Sequence, residues 1–137
     1  MQKRCRCGDV MEIKLRTVIY SGKVEIDNVP IFSCTSCNQS EVIPEVKPDL
    51  TGLISKLGAD PDKQTFSFNE CNEWADLLYE AKASKSPINN SFVEGMLEER
   101  VNRLLDLYLL AQTLNEKEWM TDIEKRLEQI SRRTLIT

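Results

Sequence analysis

The chain has 137 residues, a formal charge of −4, 41% hydrophobic residues, five cysteines and no histidine. That length suits one ordinary domain, or a small metal domain followed by a helical one, and the apolar share is enough for a core. The missing imidazole excludes Ser-His-Asp and Cys-His catalysis and any histidine metal ligand, and no apolar run is long enough to cross a bilayer.

Charge narrows the classes further. Residues 1–48 carry seven basic and six acidic side chains, residues 49–90 four and seven, and residues 91–137 seven and nine. None of these segments has the strongly basic balance of a nucleic-acid module. A local group, Lys3, Arg4, Arg6, Lys14 and Arg16, reads as solvated surface charge or as a limited nucleic-acid contact. The first residues run straight into a cysteine motif without an apolar signal region, so a cytoplasmic location is expected.

In chain order, the first feature is Cys5-x-Cys7, answered by Cys34-x-x-Cys37. Two close pairs separated by a long loop present four thiolates to one tetrahedral ion. Gly8 follows the first pair and Asn38 the second. A knuckle turns back just after its second cysteine, often through positive φ, which glycine adopts freely and asparagine better than other residues. Structural zinc is the leading reading; a disulfide, redox-active thiols or mononuclear iron on four thiolates are the rivals. The single residue between Cys5 and Cys7 is tighter than the usual two, which leaves a distorted or partly open site to be considered. Cys71 stands apart, at helical spacing from Trp74, Ala75 and Leu78, and reads as a buried, inert thiol.

Between the pairs the chain reads as a β-hairpin. Met11, Ile13 and Leu15 alternate with charged residues, the phase slips near Thr17, and Val18 and Tyr20 follow. Ser21-Gly22 signals a turn, then Val24 and Ile26 alternate in the returning strand. Val29-Pro30-Ile31-Phe32 leads into the second knuckle. Two knuckles on a hairpin make a zinc ribbon, in which the metal supplies much of the folding free energy.

Residues 5–46 resemble the YgiT/MqsA-type zinc-finger region. The shared features are the early cysteine pair with Gly8, the Tyr20-Ser21-Gly22 turn, Val29-Pro30 ahead of the second pair, and Cys34-Thr-Ser-Cys37. The Cys-x-Cys departs from that family's Cys-x-x-Cys. The resemblance implies zinc on Cys5, Cys7, Cys34 and Cys37. In that family the region often belongs to antitoxins and precedes a DNA-binding helix-turn-helix, which is not read in this chain.

After a linker containing Pro44 and Pro48, Asp49 is expected to cap a short helix over 50–57 that stops at Gly58. Thr65-Phe66-Ser67-Phe68 reads as a short extended stretch. Ser67 and Glu70 form a capping-box pattern for a helix to about Ala83. A second linker, residues 84–90 with Pro87, precedes another such pattern, Ser91 and Glu94, opening a helix to about Leu114. Asn115 and Glu118 suggest the cap of a last helix bearing Trp119, Met120, Ile123, Leu127 and Ile130. The short connection predicts an antiparallel helical hairpin.

Leu97, Val101, Leu104, Tyr108 and Ala111 form a coiled-coil-like seam, widened by Leu105, Leu107, Leu109 and Leu110. It is either internal core or a partner-binding or dimerising face, and Leu97, Val101, Leu104, Leu105, Tyr108, Leu109, Trp119, Ile123 and Leu127 are the candidate interface residues. Residues 104–130 also resemble the IDEAL domain, a short helical hairpin of small regulatory proteins in Firmicutes. The matching residues are Leu105-Asp106-Leu107, Leu110, Asn115-Glu116-Lys117-Glu118-Trp119-Met120 and the stretch from Ile123 to Leu127. That resemblance implies a regulatory, protein-contacting role.

The sequence thus predicts an α+β chain, with a zinc ribbon over 1–46 and a helical interaction domain over 47–137. The expected function is that of a non-catalytic, Zn2+-binding regulator or adaptor. It would contact a protein partner or a second copy through its C-terminal helices. The alternative is an antitoxin-like DNA-binding transcription regulator.

Overall fold

A computed structural model describes residues 3–84 and 90–131 of the chain. Two long strands, β2 (Val10–Tyr20) and β3 (Val24–Ser33), pair antiparallel. They are joined by a turn in which Ser21 and Gly22 both adopt left-handed φ, 55° and 68°. Tight antiparallel connections favour such twist. The expected slip in alternation is a β-bulge: the register shifts between Arg16 and Val18, and the Thr17 hydroxyl donates to Asp27 at 2.8 Å. One extra residue carries the inward face from Met11, Ile13 and Leu15 over to Val18 and Tyr20.

Short strands complete the sheet. β1 (Lys3–Arg4) lies on the free edge of β2, and β4 (Ser40–Val42) pairs antiparallel with β3. The other end of the β4 edge of β3 takes a strand from much later in the chain, β5 (Gln64–Ser67), in parallel register from Val24↔Gln64 to Asp27↔Ser67. The sheet therefore draws on both sides of residue 46. One buried apolar cluster runs from Met11 and Phe32 through Phe68 and Trp74 to Leu104 and Ile130.

Four helices follow β4, with β5 between the first two: α1 (Lys47–Leu57), α2 (Glu73–Ala83), α3 (Asn90–Thr113) and α4 (Lys117–Ile130). Four expected caps differ. Helix α1 starts before Asp49, with Pro48 in its first turn, where a missing N–H costs nothing; the Asp49 carboxylate instead accepts from Asn72 Nδ2 at 2.5 Å. Ser67 stays in the β5 ladder and makes no capping bond. Phe68 is fully buried and opens a 3₁₀ turn over Phe68–Glu70, so α2 begins later, capped by Asn72 accepting from the Ala75 amide at 2.9 Å. Asn115 ends α3 rather than opening α4. Its φ is 58°, its N–H donates to Gln112 O, and the Glu116 N–H donates to Ala111 O. This is the left-handed helix stop that asparagine tolerates best after glycine. Ser91 lies already inside α3, and residues 85–89, with Pro87, lie outside the described residues.

A polar knot sits where α2, α3 and α4 meet. Arg100, 5% exposed, reaches Glu73 at 3.1 Å, Asp76 at 2.7 Å and Glu80 at 2.8 Å. Arg126 holds the other Glu73 oxygen at 2.5 Å, and Gln129 accepts from the Glu73 amide at 3.0 Å. Removing one partner of a buried ion set leaves the other uncompensated, at a cost of about 3–5 kcal/mol. Arg100→Met should lower the unfolding free energy by about 3 kcal/mol, the lower end because Arg126 still serves Glu73. Urea denaturation checks this; a loss below about 1 kcal/mol would show the knot to be hydrated.

Candidate metal centre

Each cysteine pair sits on a turn whose backbone is fixed locally. In the first, Gly8 N–H donates to Cys5 O at 2.9 Å and Cys5 N–H to Asp9 O at 2.8 Å, with Gly8 at φ 100°. In the second, Asn38 N–H donates to Cys34 O at 3.0 Å and Cys34 N–H to Gln39 O at 2.8 Å, with Asn38 at φ 60°. The same reversal is built twice, and both residues expected in the left-handed region occupy it. The β2–β3 pairing brings the two turns to one end of the sheet. Ser36 on the second turn donates to the Asp9 carboxylate on the first.

The sulfurs of Cys5, Cys7, Cys34 and Cys37 all lie within 4.8 Å of one another. The nearest approaches cross between turns: Cys5 to Cys37 at 3.3 Å and Cys7 to Cys34 at 3.5 Å. A tetrahedral ion with ~2.3 Å metal–sulfur bonds has ~3.8 Å edges, so the cluster is compatible with a divalent ion once sulfur–sulfur separations change by up to about an ångström. Cys5 and Cys34 are buried, and Cys7 and Cys37 are exposed.

Backbone N–H groups point at the sulfurs. The Cys37 amide, joined by the Cys7 thiol and the Ser36 amide, outweighs burial and holds the Cys34 thiol down at about 7. The Gln39 amide favours the Cys37 thiolate, but the Cys5 sulfur, burial and the Cys34 and Cys7 sulfurs outweigh it and push that thiol up to about 12. At Cys7 the Asp9 amide lowers the pKa, yet the Cys34 thiol, burial and Cys5 raise it on balance. Four crowded sulfurs thus resist ionising together unless a cation joins them.

No family model, curated protein or solved structure matches the chain. The site therefore rests on its own geometry.

The other expected residues fall into two groups. Leu97, Leu104 and Ile123 are buried at 2%, 1% and 0% exposure and belong to the chain's own core. Val101, Tyr108, Trp119 and Leu127 are half-buried against it, with the Tyr108 hydroxyl donating to Glu124 at 2.9 Å. Leu105 and Leu109 are exposed, joined by Leu110 and Leu114. Cys71 corrects an expectation: it is exposed, in the bend before α2 rather than on the helix. The 3₁₀ turn displaces it from the Trp74 face. Sequence reasoning also missed the Asp9–Ser36 tie and Gln39, whose Oε1 lies 3.6 Å from Cys5 Sγ. Polar residues flanking the cysteines were the available signal.

Two outcomes follow for the metal-free and metal-loaded chain. At pH 8 Cys34 already carries its charge, while Cys7 and Cys37 keep their protons. Loading one divalent ion then releases fewer than four protons, counted by calorimetry in buffers of different ionisation enthalpy. Acidification reverses loading, since each ligand must be a thiolate. At the second turn, Asn38→Gly should be tolerated, whereas Asn38→Ala should cost about 1 kcal/mol of metal-loaded stability through its left-handed φ. Thermal melts of the two variants measure the difference.

Proposed function

We propose that the chain is a non-catalytic, zinc-binding regulator or adaptor, a zinc ribbon fused to helices that dock another protein chain. Four thiolates at tetrahedral spacing suit Zn2+, which needs no redox partner and no open position in a structural site. The resemblance of residues 5–46 to the YgiT/MqsA-type region agrees with this choice. A reducing cytoplasm would keep the thiols available to the metal.

The observation that carries the protein-contact reading is the outer surface of α3. Leu105 and Leu109 remain 46% and 58% exposed, and Leu110 and Leu114 remain 48% and 57% exposed, after α3 has packed its buried side. These are two pairs at i, i+4 spacing, one turn apart within each pair. The pairs sit about 140° apart around the helix axis, with Leu114 just past the end of α3, so they offer two apolar strips; exposed apolar side chains grouped in this way suit contact with another chain. The IDEAL-like pattern over 104–130 supports the same role, as part of an antiparallel helical hairpin.

Native mass spectrometry of the full chain tests both halves of the reading. The expected spectrum has one zinc per chain and a population of higher assemblies, either with itself or with a co-purified protein. Leu105→Asp with Leu109→Asp should reduce those assemblies at least tenfold and leave the zinc in place. Particles that stay single at high concentration, with co-purifying proteins the same in wild type and variant, would sink the docking role.

A further inference from the structure

Beside the cysteine cluster lies a cavity of about 450 Å³ lined by Lys14, Arg16, Ser33, Cys34, Thr35, Asn38 and Ser40. Its chemistry is one-sided. Two cations, three hydroxyls and a carboxamide face it, and no carboxylate does. Lys14 and Arg16 alternate on β2 and so project from the same strand face. Among the described residues neither has a carboxylate within ion-pairing distance. Glu12 shares that strand face but is not part of the lining. Ser33 opposes Ser40 across the β3–β4 ladder, so two of the three hydroxyls sit on paired strand backbone, while Thr35 sits in the turn that follows β3. The smaller cavity near the first turn differs: its lining includes Glu41, which pairs with Lys3.

We propose that the cavity beside Cys34 binds a phosphate-class oxyanion, with Lys14 and Arg16 supplying charge and Ser33, Thr35, Asn38 and Ser40 supplying hydrogen bonds. Guanidinium and ammonium groups next to hydroxyl and amide donors are the donor set that phosphate oxygens recognise. The oxyanion is carried either by a small solute or by a nucleic-acid backbone. This site shares no residue with the leucine surface and does not depend on it. The competing role for the two cations is to balance the net negative charge of four thiolates on a divalent ion.

The test uses the metal-loaded full chain and two probes, inorganic phosphate and a short oligothymidylate. Backbone NMR titrations at fixed ionic strength, with chloride as reference, should move the amides of Ser33, Thr35, Asn38 and Ser40. Lys14→Gln with Arg16→Gln should weaken that response at least tenfold, while Lys82→Gln with Lys117→Gln on the helices should leave it unchanged. If the oligothymidylate is the better ligand, the same double variant should lower the slope of log affinity against log salt by about 1.4, as two lost single-strand phosphate contacts require. Binding of inorganic phosphate alone would identify a small-solute site. The proposal is overturned if phosphate does no more than chloride and the oligothymidylate slope is unchanged. It is equally overturned if Lys14→Gln with Arg16→Gln loses metal but leaves anion affinity as it was.

Discussion

Strand β3 is paired along both edges, and the placement of everything else follows from that. One edge is taken by β2 over nearly its whole length. The other is divided: residues 24–27 pair with β5 and residues 31–33 with β4. Between the two partners Asn28 takes a left-handed φ of 62° and donates from Nδ2 to Asn69 at 3.1 Å. A strand saturated in this way loses its capacity to recruit foreign strands. It is also buried on both faces, with Val29, Ile31 and Phe32 all 7% exposed or less. Parallel pairing with β5 requires the intervening chain to cross over, and α1 lies within that crossover. Tyr20 donating to Gly58 O at 2.6 Å and Lys23 pairing with Asp60 at 2.7 Å fasten the hairpin tip to the end of α1.

The same strand delivers Cys34 directly from its last paired residue, Ser33, so one ligand of the metal cluster is continuous with the core. The remaining three are held by short turns. This arrangement divides the work between chain entropy and charge. The hairpin pairing spans the long loop between the cysteine pairs, which lowers the entropic cost of gathering four ligands. It cannot remove the mutual repulsion of four thiolates, and the amide donors offset that only partly: Cys34 gains from them while Cys37 remains hard to ionise. A bound cation would complete what the backbone begins. Cys7 and Cys37 are exposed, so an ion held by the cluster would lie near the surface, beside the cavity lined by Lys14 and Arg16.

Local chemistry was legible in the sequence wherever it depended on neighbours along the chain. The bulge at Thr17, the left-handed Gly8 and Asn38, the turn at Ser21-Gly22 and the extended Thr65-Phe66-Ser67 each follow from a few adjacent residues, although Phe68, expected to continue that stretch, instead opens the 3₁₀ turn. Readings that needed distant partners failed in physical ways. Nothing in Gln-Thr-Phe-Ser announces a parallel partner forty residues earlier. The Ser67 and Glu70 pattern is a valid capping signal, but the ladder bond to β3 and the burial of Phe68 outweigh a contribution of about 1 kcal/mol from a cap. Cys71 was assigned to the Trp74 face by helical spacing, and the spacing fails because the helix has not yet begun. Leu97, Leu104 and Ile123 could not be divided from Leu105 and Leu109 by pattern, since apolarity alone does not say which side of a helix its neighbours occupy.

What does divide them is the polar knot. An apolar seam between helices tolerates sliding and rotation, because one leucine replaces another at little cost. Arg100 does not, since its guanidinium must meet Glu73, Asp76 and Glu80 together while almost fully excluded from water. Only one rotation of α3 against α2 satisfies all three. With Arg100 pinned, Leu97, Leu104 and Ala111, at seven-residue intervals on the same side, must enter the core. Leu105 and Leu109 are then turned about 100° or more away from that line and cannot share it. The exposure of those leucines is thus a consequence of a fixed helix rotation, not of a loosely packed bundle. A rigid apolar surface presented this way loses little side-chain or backbone freedom on docking. The buried ion set and the exposed leucines are in this sense two sides of one constraint on α3.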